Sequence, residues 1–209
     1  MIPMTDKKTL EVVEKILDES KKLDRNFKQT IDLVFNLKNI DLNVPKNRID
    51  EEIVLPHGRG KEAKVALFAS GELALKSKKH VDLLIKPEEI EGLSDDKKKF
   101  KKIAEDHNFF VAEAPLMPTI GKSLGTVLGP RGKMPKPVPP GTDISGIVKN
   151  LRKTVKVRSK ANNTFHTIAG TADMDKKQIT ENVNAILRRI EGSLERGKMN
   201  IGSAYLKTT

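Results

Sequence analysis

Hydrophobic positions near the start of the chain predict one helix followed by two half-exposed strands. Over residues 5–22 apolar side chains recur every three or four positions among charges, which is typical of an amphipathic helix. Over residues 30–38 the period changes to two, so every second side chain should be buried while Thr30 and Asp32 point outward. A second strand is expected over residues 48–55, and we expect a flexible connection at residues 57–60.

The same alternation returns near the end of the chain. From Thr154 onward, apolar and basic residues alternate, so this strand should carry a basic face that includes Lys156 and Arg158. A helical stripe over residues 179–190 follows Asp175 and Gln178, which fit a capping box. The closing strand should place four polar residues on one face: Ser203, Tyr205, Lys207 and Thr209.

The middle of the chain has a different pattern. Short continuous apolar runs at residues 65–69, 81–85 and 109–112 are separated by predicted helices, one of them a long helix over residues 88–106. Strands of this kind indicate a small parallel sheet buried on both faces. The glycine- and proline-rich stretch 121–141 predicts a short helix ending near Gly129 and then a second connection.

Together these patterns predict a hinged protein of two domains. Residues 1–60 and 153–209 should form a discontinuous α+β domain with an antiparallel or mixed sheet. Residues 61–152 should form an inserted α/β domain that is Rossmann-like, with a parallel sheet.

The amino-acid composition excludes several classes of function. Lysine and arginine number 39 and aspartate and glutamate 28, which leaves a net charge of +11 and favours a polyanionic partner. No apolar stretch is long enough for a membrane span or a signal peptide, so we expect no membrane association and a location inside the cell. Without cysteine and with four scattered histidines, neither a metal site nor a cofactor is expected.

Motifs for catalysis are weak. Gly121-Lys122-Ser123 is similar to the end of a phosphate-binding loop, but Leu116 stands where that loop requires glycine. No nucleophile elbow and no evident acid–base pair occur, so an enzyme is not expected. The hypothesis of a nucleotide-dependent enzyme would rest on the fold class of the inserted domain alone.

Basic and hydroxyl side chains favour nucleic acid. Residues 149–160 hold six positive charges without an acid, and the predicted outward-facing hydroxyls could contact ribose and phosphate. Few aromatic residues are available for stacking on bases, so polar and charged groups should provide most contacts. A solvated surface, or a nonspecific basic nucleic-acid-binding protein, remains an alternative on this evidence.

Several segments resemble one family, the L-one ribosomal proteins of the large subunit's mobile stalk, in the archaeal form. The most specific segment is residues 121–135, which end in Gly-Pro-Arg-Gly-Lys-Met-Pro. Supporting matches are Phe27-Lys28-Gln29-Thr30, Leu55-Pro56-His57-Gly58 and the closing Ser203-Ala204-Tyr205-Leu206-Lys207-Thr208-Thr209. The family pattern continues with Met-Gly-Pro, whereas this sequence ends at Thr209, so either the contacts made by that turn are absent or the sequence has been shortened at this end.

The resemblance implies a structural constituent of the large ribosomal subunit that is cytoplasmic, on the ribosome, and monomeric when free. Its expected partners are large-subunit rRNA, its own messenger RNA, whose translation it would repress, and exit-site tRNA, whose release it would assist. The terminal domain would bind RNA. With the residues singled out above, the expected RNA-binding set is Phe27, Lys28, Thr30, Lys156, Arg158, His166, Ser203, Tyr205, Lys207, Thr208 and Thr209. Hinge residues or secondary RNA contacts would be Gly58, Gly60, Arg131 and Lys133.

Overall fold

The computed structural model describes residues 6–22 and 25–209. The chain separates into two compact units: a terminal unit, made of the residues up to Glu62 together with Lys153–Thr209, and an inserted unit, Ala63–Arg152. The terminal unit contains antiparallel sheets and the inserted unit a parallel sheet. The predicted fold class, α+β with an inserted α/β domain, is confirmed.

Eight α-helices and nine strands occur in the described residues. The helices are α1 Asp6–Lys22, α2 Gly71–Ser77, α3 Pro87–Asp95, α4 Lys97–Asp106, α5 Met117–Ser123, α6 Gly125–Arg131, α7 Ile144–Lys153 and α8 Lys176–Ser193. The strands are β1 Thr30–Leu37, β2 Asp50–Val54, β3 Val65–Phe68, β4 Leu83–Ile85, β5 Phe109–Glu113, β6 Lys136–Val138, β7 Thr154–Arg158, β8 Thr164–Thr171 and β9 Ile201–Thr208.

The terminal unit has two antiparallel sheets, a three-stranded one in the order β8-β1-β9 and a β2-β7 pair. The alternating apolar residues of β1 are buried, as their period predicts: Ile31, Leu33, Phe35 and Leu37. Helices α1 and α8 pack against each other and against β9 and β8, respectively. This core leaves the opposite side of β1 for polar side chains.

At the ends of the helices, one prediction is wrong and one is not tested. Asp175 does occupy the N-cap position of α8, but its side chain makes no capping hydrogen bond, so the predicted capping box with Gln178 does not form. Helix α1 is observed from Asp6; the predicted start at Thr5 lies outside the described residues.

The inserted unit is built on a four-stranded parallel sheet in the order β4-β3-β5-β6. The central strands β3 and β5 are buried along their whole length, since helices cover both faces. The uninterrupted apolar runs of the sequence therefore correspond to these strands, as predicted.

Two predictions for the inserted unit are wrong. The expected long helix over residues 88–106 is two helices, because Asp96 leaves the helical conformation and its side chain accepts a hydrogen bond from the backbone N of Lys99, 3.0 Å away. The proline-rich segment is not a second connection between domains, since it contains β6, which pairs with β5. Proline is tolerated there because β6 lies at the sheet edge.

Candidate nucleic-acid interface

The side of the three-stranded sheet away from the helices forms a polar surface. Directly opposed residues of antiparallel strands point to the same side. Asn36 lies between Thr164 and Ser203, and Val34 lies between His166 and Tyr205. We define the outer face as Thr30, Asp32, Val34, Asn36, Thr164, His166, Ser203, Tyr205, Lys207 and Thr209. From Thr30 to Asn36 it extends about 20 Å at roughly 3.3 Å per residue.

One end of the outer face is a chain of hydrogen bonds across all three strands. The Thr164 hydroxyl donates to Asn36 Oδ1 at 2.7 Å, and Asn36 Nδ2 donates to Ser203 Oγ at 2.9 Å. The amide is thereby held in one orientation, and the Ser203 hydroxyl hydrogen is left to point to an external acceptor. This end therefore presents hydroxyls that are already ordered before any partner arrives.

The other end is formed by two threonines. The backbone N of Thr209 donates to the carbonyl oxygen of Thr30 at 3.1 Å, and the Thr209 hydroxyl donates to the same oxygen at 3.2 Å. In return, the backbone N of Thr30 donates to Thr209 Oγ1 at 3.2 Å. Thr209 is exposed, so its hydroxyl is held at the surface by these contacts.

Two aromatic rings of the terminal unit are exposed, one on the outer face and one in the loop before β1. Tyr205 is 59% exposed and Phe27, three residues before β1, is 55% exposed, whereas the other six phenylalanines are buried. The Arg25 guanidinium lies 5.9 Å from the centroid of the Phe27 ring. Exposed rings are costly in water and are suited to stacking on bases.

Charges around the outer face are partly paired. Lys28 Nζ donates to Asp173 Oδ2 at 2.8 Å, and this hydrogen bond lowers the pKa of Asp173. Lys207 Nζ lies 4.0 Å from Asp32 Oδ2 and remains exposed. Because both lysines are exposed and weakly held, phosphates can compete for them.

The structure does not bring every predicted residue to this face. Thr208 is opposite Ile31, whose side chain is buried, so Thr208 points to the inner side of the sheet. Lys156 and Arg158 lie in the β2-β7 pair. The Lys156 ammonium is 3.5 Å from Glu52 and 3.6 Å from Asp50, and Arg158 Nε is 3.1 Å from Asp50.

Gly58 and Gly60 are held against the terminal unit rather than lying in an unattached loop. The buried Asn182 donates from Nδ2 to the Gly58 carbonyl at 2.7 Å and accepts at Oδ1 from the His57 backbone N at 3.2 Å. Gly60 has φ +80°, and a Cβ there would overlap the Thr171 side chain. Packing and backbone conformation thus both require Gly60, whereas Gly58, with φ +70°, is required by backbone conformation alone.

Arg131 and Lys133 hold the C-terminal end of α4. Lys133 Nζ donates to the carbonyl oxygens of Ala104 and His107 at 2.6 and 2.8 Å, and Arg131 donates to Glu105 at 2.9 Å. Burial, followed by the charge of Arg131, lowers the pKa of Lys133. These contacts give both cations a structural role.

Gly132, between them, ends α6 with φ +65°, the left-handed conformation that glycine adopts readily. Its backbone N donates to the Gly129 carbonyl at 2.9 Å, and the next backbone N, of Lys133, donates to that of Leu128 at 3.0 Å. Segment 121–135 therefore contains the end of α6 and the side chains that hold the end of α4.

Asn36 and Thr164 were not among the predicted site residues. Asn36 lies on the polar side of the alternating β1 pattern, which is the signal that could have identified it. Thr164 gives no such signal, since its partner is 128 residues away in sequence.

Neither metal-binding nor membrane-spanning features were found in the part of the chain that is described. No three histidine, aspartate or glutamate side chains there come together as metal ligands. No helix among residues 6–22 and 25–209 has the length and apolar character needed to cross a membrane.

Comparison with known proteins gives one consistent result. Residues 17–209 match the model of the ribosomal protein L1p/L10e family. A relative from Methanocella arvoryzae is 52% identical and covers 99% of this chain and 96% of its own length. Relatives from Thermoplasma volcanium and Haloferax volcanii are 54% and 46% identical, over 88% and 96% of this chain and 85% and 93% of their own. Each is named as large ribosomal subunit protein uL1.

Proposed function

Because this chain belongs to the ribosomal protein L1p/L10e family, we propose that it is a structural component of the large ribosomal subunit and binds large-subunit rRNA through the outer face. The observation that carries this proposal is the ordered row of Thr164, Asn36 and Ser203 at one end of that face, with Thr30 and Thr209 at the other. An enzymatic role has no support in the names of these relatives, which are ribosomal proteins.

The outer face would recognise RNA by shape. Structured RNA displays 2′-hydroxyls and phosphates, which hydroxyl and amide side chains can contact directly. A face whose own hydrogen bonds fix its polar groups loses little conformational entropy on binding. Phe27 and Tyr205, which lies opposite Val34 in the middle of the outer face, would stack on unpaired bases.

Lysines around the face would supply the part of the affinity that depends on salt. Lys28 and Lys207 are exposed, and their ion pairs with Asp173 and Asp32 can be exchanged for phosphates. Neutralised phosphates release counterions, which strengthens binding to any RNA at low salt. Specificity would then come from the hydroxyls and rings, and the rate of association from charge.

Two finer functions and two physical properties belong to the same proposal. A messenger RNA segment that resembles the rRNA site would bind the same face, so surplus protein would repress translation of its own message. On the cytoplasmic ribosome, the protein would assist the release of deacylated tRNA from the exit site. The free protein would be a monomer. The inserted unit would move about the two segments that connect it to the terminal unit.

Competition binding tests the proposal. A labelled stalk fragment of large-subunit rRNA is titrated with the full chain at near-physiological salt, in the presence of excess tRNA or duplex DNA. We expect nanomolar binding that survives both competitors. Equal loss of binding to both competitors would instead support the second candidate, a nonspecific basic nucleic-acid-binding protein, which the net charge of +11 favours.

A further inference from the structure

The inserted unit carries a dense group of lysines on α4. All five are exposed, while Phe100 and Ala104 on the other side of the helix are fully buried. We call this surface the α4 lysine face, formed by Lys97, Lys98, Lys99, Lys101 and Lys102. Within residues 6–22 and 25–209, none of these ammonium groups makes an ion pair with a carboxylate.

This arrangement does not serve the stability of the helix. The first turn of α4 contains Lys97, Lys98 and Lys99 and no acid. The N-terminus of a helix carries partial positive charge, so lysines there are electrostatically unfavourable. The preceding helix α3 shows the favourable arrangement, with Glu88 and Glu89 in its first turn.

Three carboxylates in α3 and α4 or between them are engaged elsewhere. Asp96 accepts the backbone N–H of Lys99, and Glu105 accepts from Arg131 at 2.9 Å. The side chain of Glu89 accepts the backbone N–H of Lys86. Because the break at Asp96 also divides the acidic and basic halves of segment 88–106 into separate helices, the lysines are concentrated on ten residues.

We propose that the α4 lysine face is a second RNA-contact surface, which binds the phosphate backbone of an RNA duplex without sequence choice. Lysine is a flexible point charge suited to phosphate, whereas reading bases requires planar or stacking groups. Helix α4 presents no arginine, and its one aromatic residue, Phe100, is buried. The choice of RNA over other polyanions rests on the proposed ribosomal function.

The test uses the full chain and a labelled RNA duplex of about 20 base pairs, unrelated in sequence to rRNA. The triple variant Lys97→Gln, Lys98→Gln, Lys101→Gln is compared with a control that removes the same charge from α1: Lys7→Gln, Lys8→Gln, Lys15→Gln, all exposed. Each neutralised phosphate contributes roughly 0.7 to 0.9 to the slope of log K against log salt. The α4 variant should therefore flatten this slope by about two, and the control should flatten it much less. Its melting temperature should be unchanged or higher, because two charges leave the positive end of a helix.

A second readout does not depend on substitutions. In the wild-type chain, the duplex should protect the α4 lysines from chemical acetylation, which mass spectrometry measures. It should leave Lys7 and Lys8 unprotected. Equal slopes for the two triple variants, or equal acetylation with and without duplex, would overturn the inference. So would protection by polyglutamate at the same charge concentration, since that result would assign the surface to an acidic protein.

These experiments distinguish failure of the second RNA-contact surface from failure of the proposed ribosomal function. The α4 variant should still prefer the stalk fragment over competitors by the same ratio as wild type, because that preference is assigned to the outer face. Loss of the preference in wild type would contradict the ribosomal function, whereas a retained preference with no α4 effect would contradict the second surface alone.

Discussion

Thr209 is tied to Thr30 by three hydrogen bonds, two donated to the Thr30 carbonyl and one accepted from the Thr30 backbone N–H. This pairing extends the β1-β9 ladder by one residue and fixes the Thr209 hydroxyl on the outer face. The adjacent Thr208 lies on the other side of the sheet, opposite the buried Ile31. Two neighbouring threonines are therefore predicted to differ in function.

Replacing Thr209 by valine should weaken binding of the specific rRNA fragment about fivefold to tenfold and leave binding of unrelated RNA nearly unchanged. The reason is the loss of a positioned hydroxyl, worth about 1 kcal/mol. Fluorescence titration with both RNAs measures the two effects. Thr208→Val is the matched control and should change neither affinity by more than about twofold; equal losses for the two variants would contradict the assignment of faces.

Replacing Phe27 by alanine should reduce specific affinity more strongly, by about tenfold or more, because one stacked base is worth roughly 1–3 kcal/mol. Stability should barely change, since the ring is 55% exposed. Val54, which is 53% exposed on β2, provides the control variant Val54→Ala. An unchanged Kd for Phe27→Ala, measured by the same titration, would remove the ring from the proposed contact.

Asp173 should act as a competitor for phosphate at Lys28. The hydrogen bond from Lys28 lowers its pKa, so the ion pair persists at neutral pH and is lost as the pH falls through that lowered pKa. Asp173→Asn should therefore raise affinity for any RNA by a few fold and steepen the salt slope by about 0.7 to 0.9.

The control for Asp173 is Glu72→Gln, which breaks a similar exposed pair with Lys76 in the inserted unit. It changes the net charge equally but lies outside the outer face. If both variants raise affinity to the same extent, the effect is one of net charge, and Lys28 is not a phosphate contact.

Lys133→Met should destabilise the protein and spare RNA binding. The variant loses two charge-assisted hydrogen bonds to the end of α4, so the free energy of unfolding should fall by about 1–3 kcal/mol. Lys122→Met, an exposed lysine in the same segment, is the control. Urea denaturation measures the loss; a stable variant with reduced RNA affinity would instead make Lys133 an RNA contact.

The pH dependence of Lys133 has a definite sign. Burial lowers its pKa below 10.5, so the unfolded chain holds more protons at alkaline pH than the folded chain does. Its contribution to stability therefore rises with pH between the folded and the unfolded value. In Lys133→Met this contribution should disappear, which denaturation curves at several alkaline pH values can detect.

Sequence reasoning was most successful where a local pattern decides the structure. The two-residue period of β1 predicted which of its side chains are buried, because strand side chains alternate between faces. The continuous apolar runs predicted the buried parallel strands β3 and β5 in the same way.

Long-range pairing could not be read from the same patterns. Lys156 and Arg158 look like a free basic strand face, but Asp50 and Glu52, about 100 residues earlier, lie opposite them in β2. Thr208 and Thr209 are equivalent in a motif, and only the register with β1 separates them. The break at Asp96 and the edge strand β6 likewise depend on local capping and on tertiary pairing with β5.

The variant Lys156→Ala tests whether β7 contributes to RNA binding or is already neutralised by the carboxylates of β2. Taken alone, the sequence predicts that this change weakens binding of specific and unrelated RNA alike. Because Lys156 already has carboxylates at 3.5 and 3.6 Å, we expect less than a twofold change in either affinity and a salt slope close to that of wild type. A clear drop in both affinities would show that β7 is part of the RNA-binding surface.

The central claim is that the outer face binds the stalk rRNA, and photochemical cross-linking tests it most directly. The full chain is bound to a stalk fragment carrying 4-thiouridine, irradiated and digested, and the cross-linked peptides are identified by mass spectrometry. We expect the adducts to lie on peptides containing Phe27 or Tyr205 and to decrease in Thr209→Val. Cross-links confined to β2 and β7, with none on β1, β8 or β9, would contradict it.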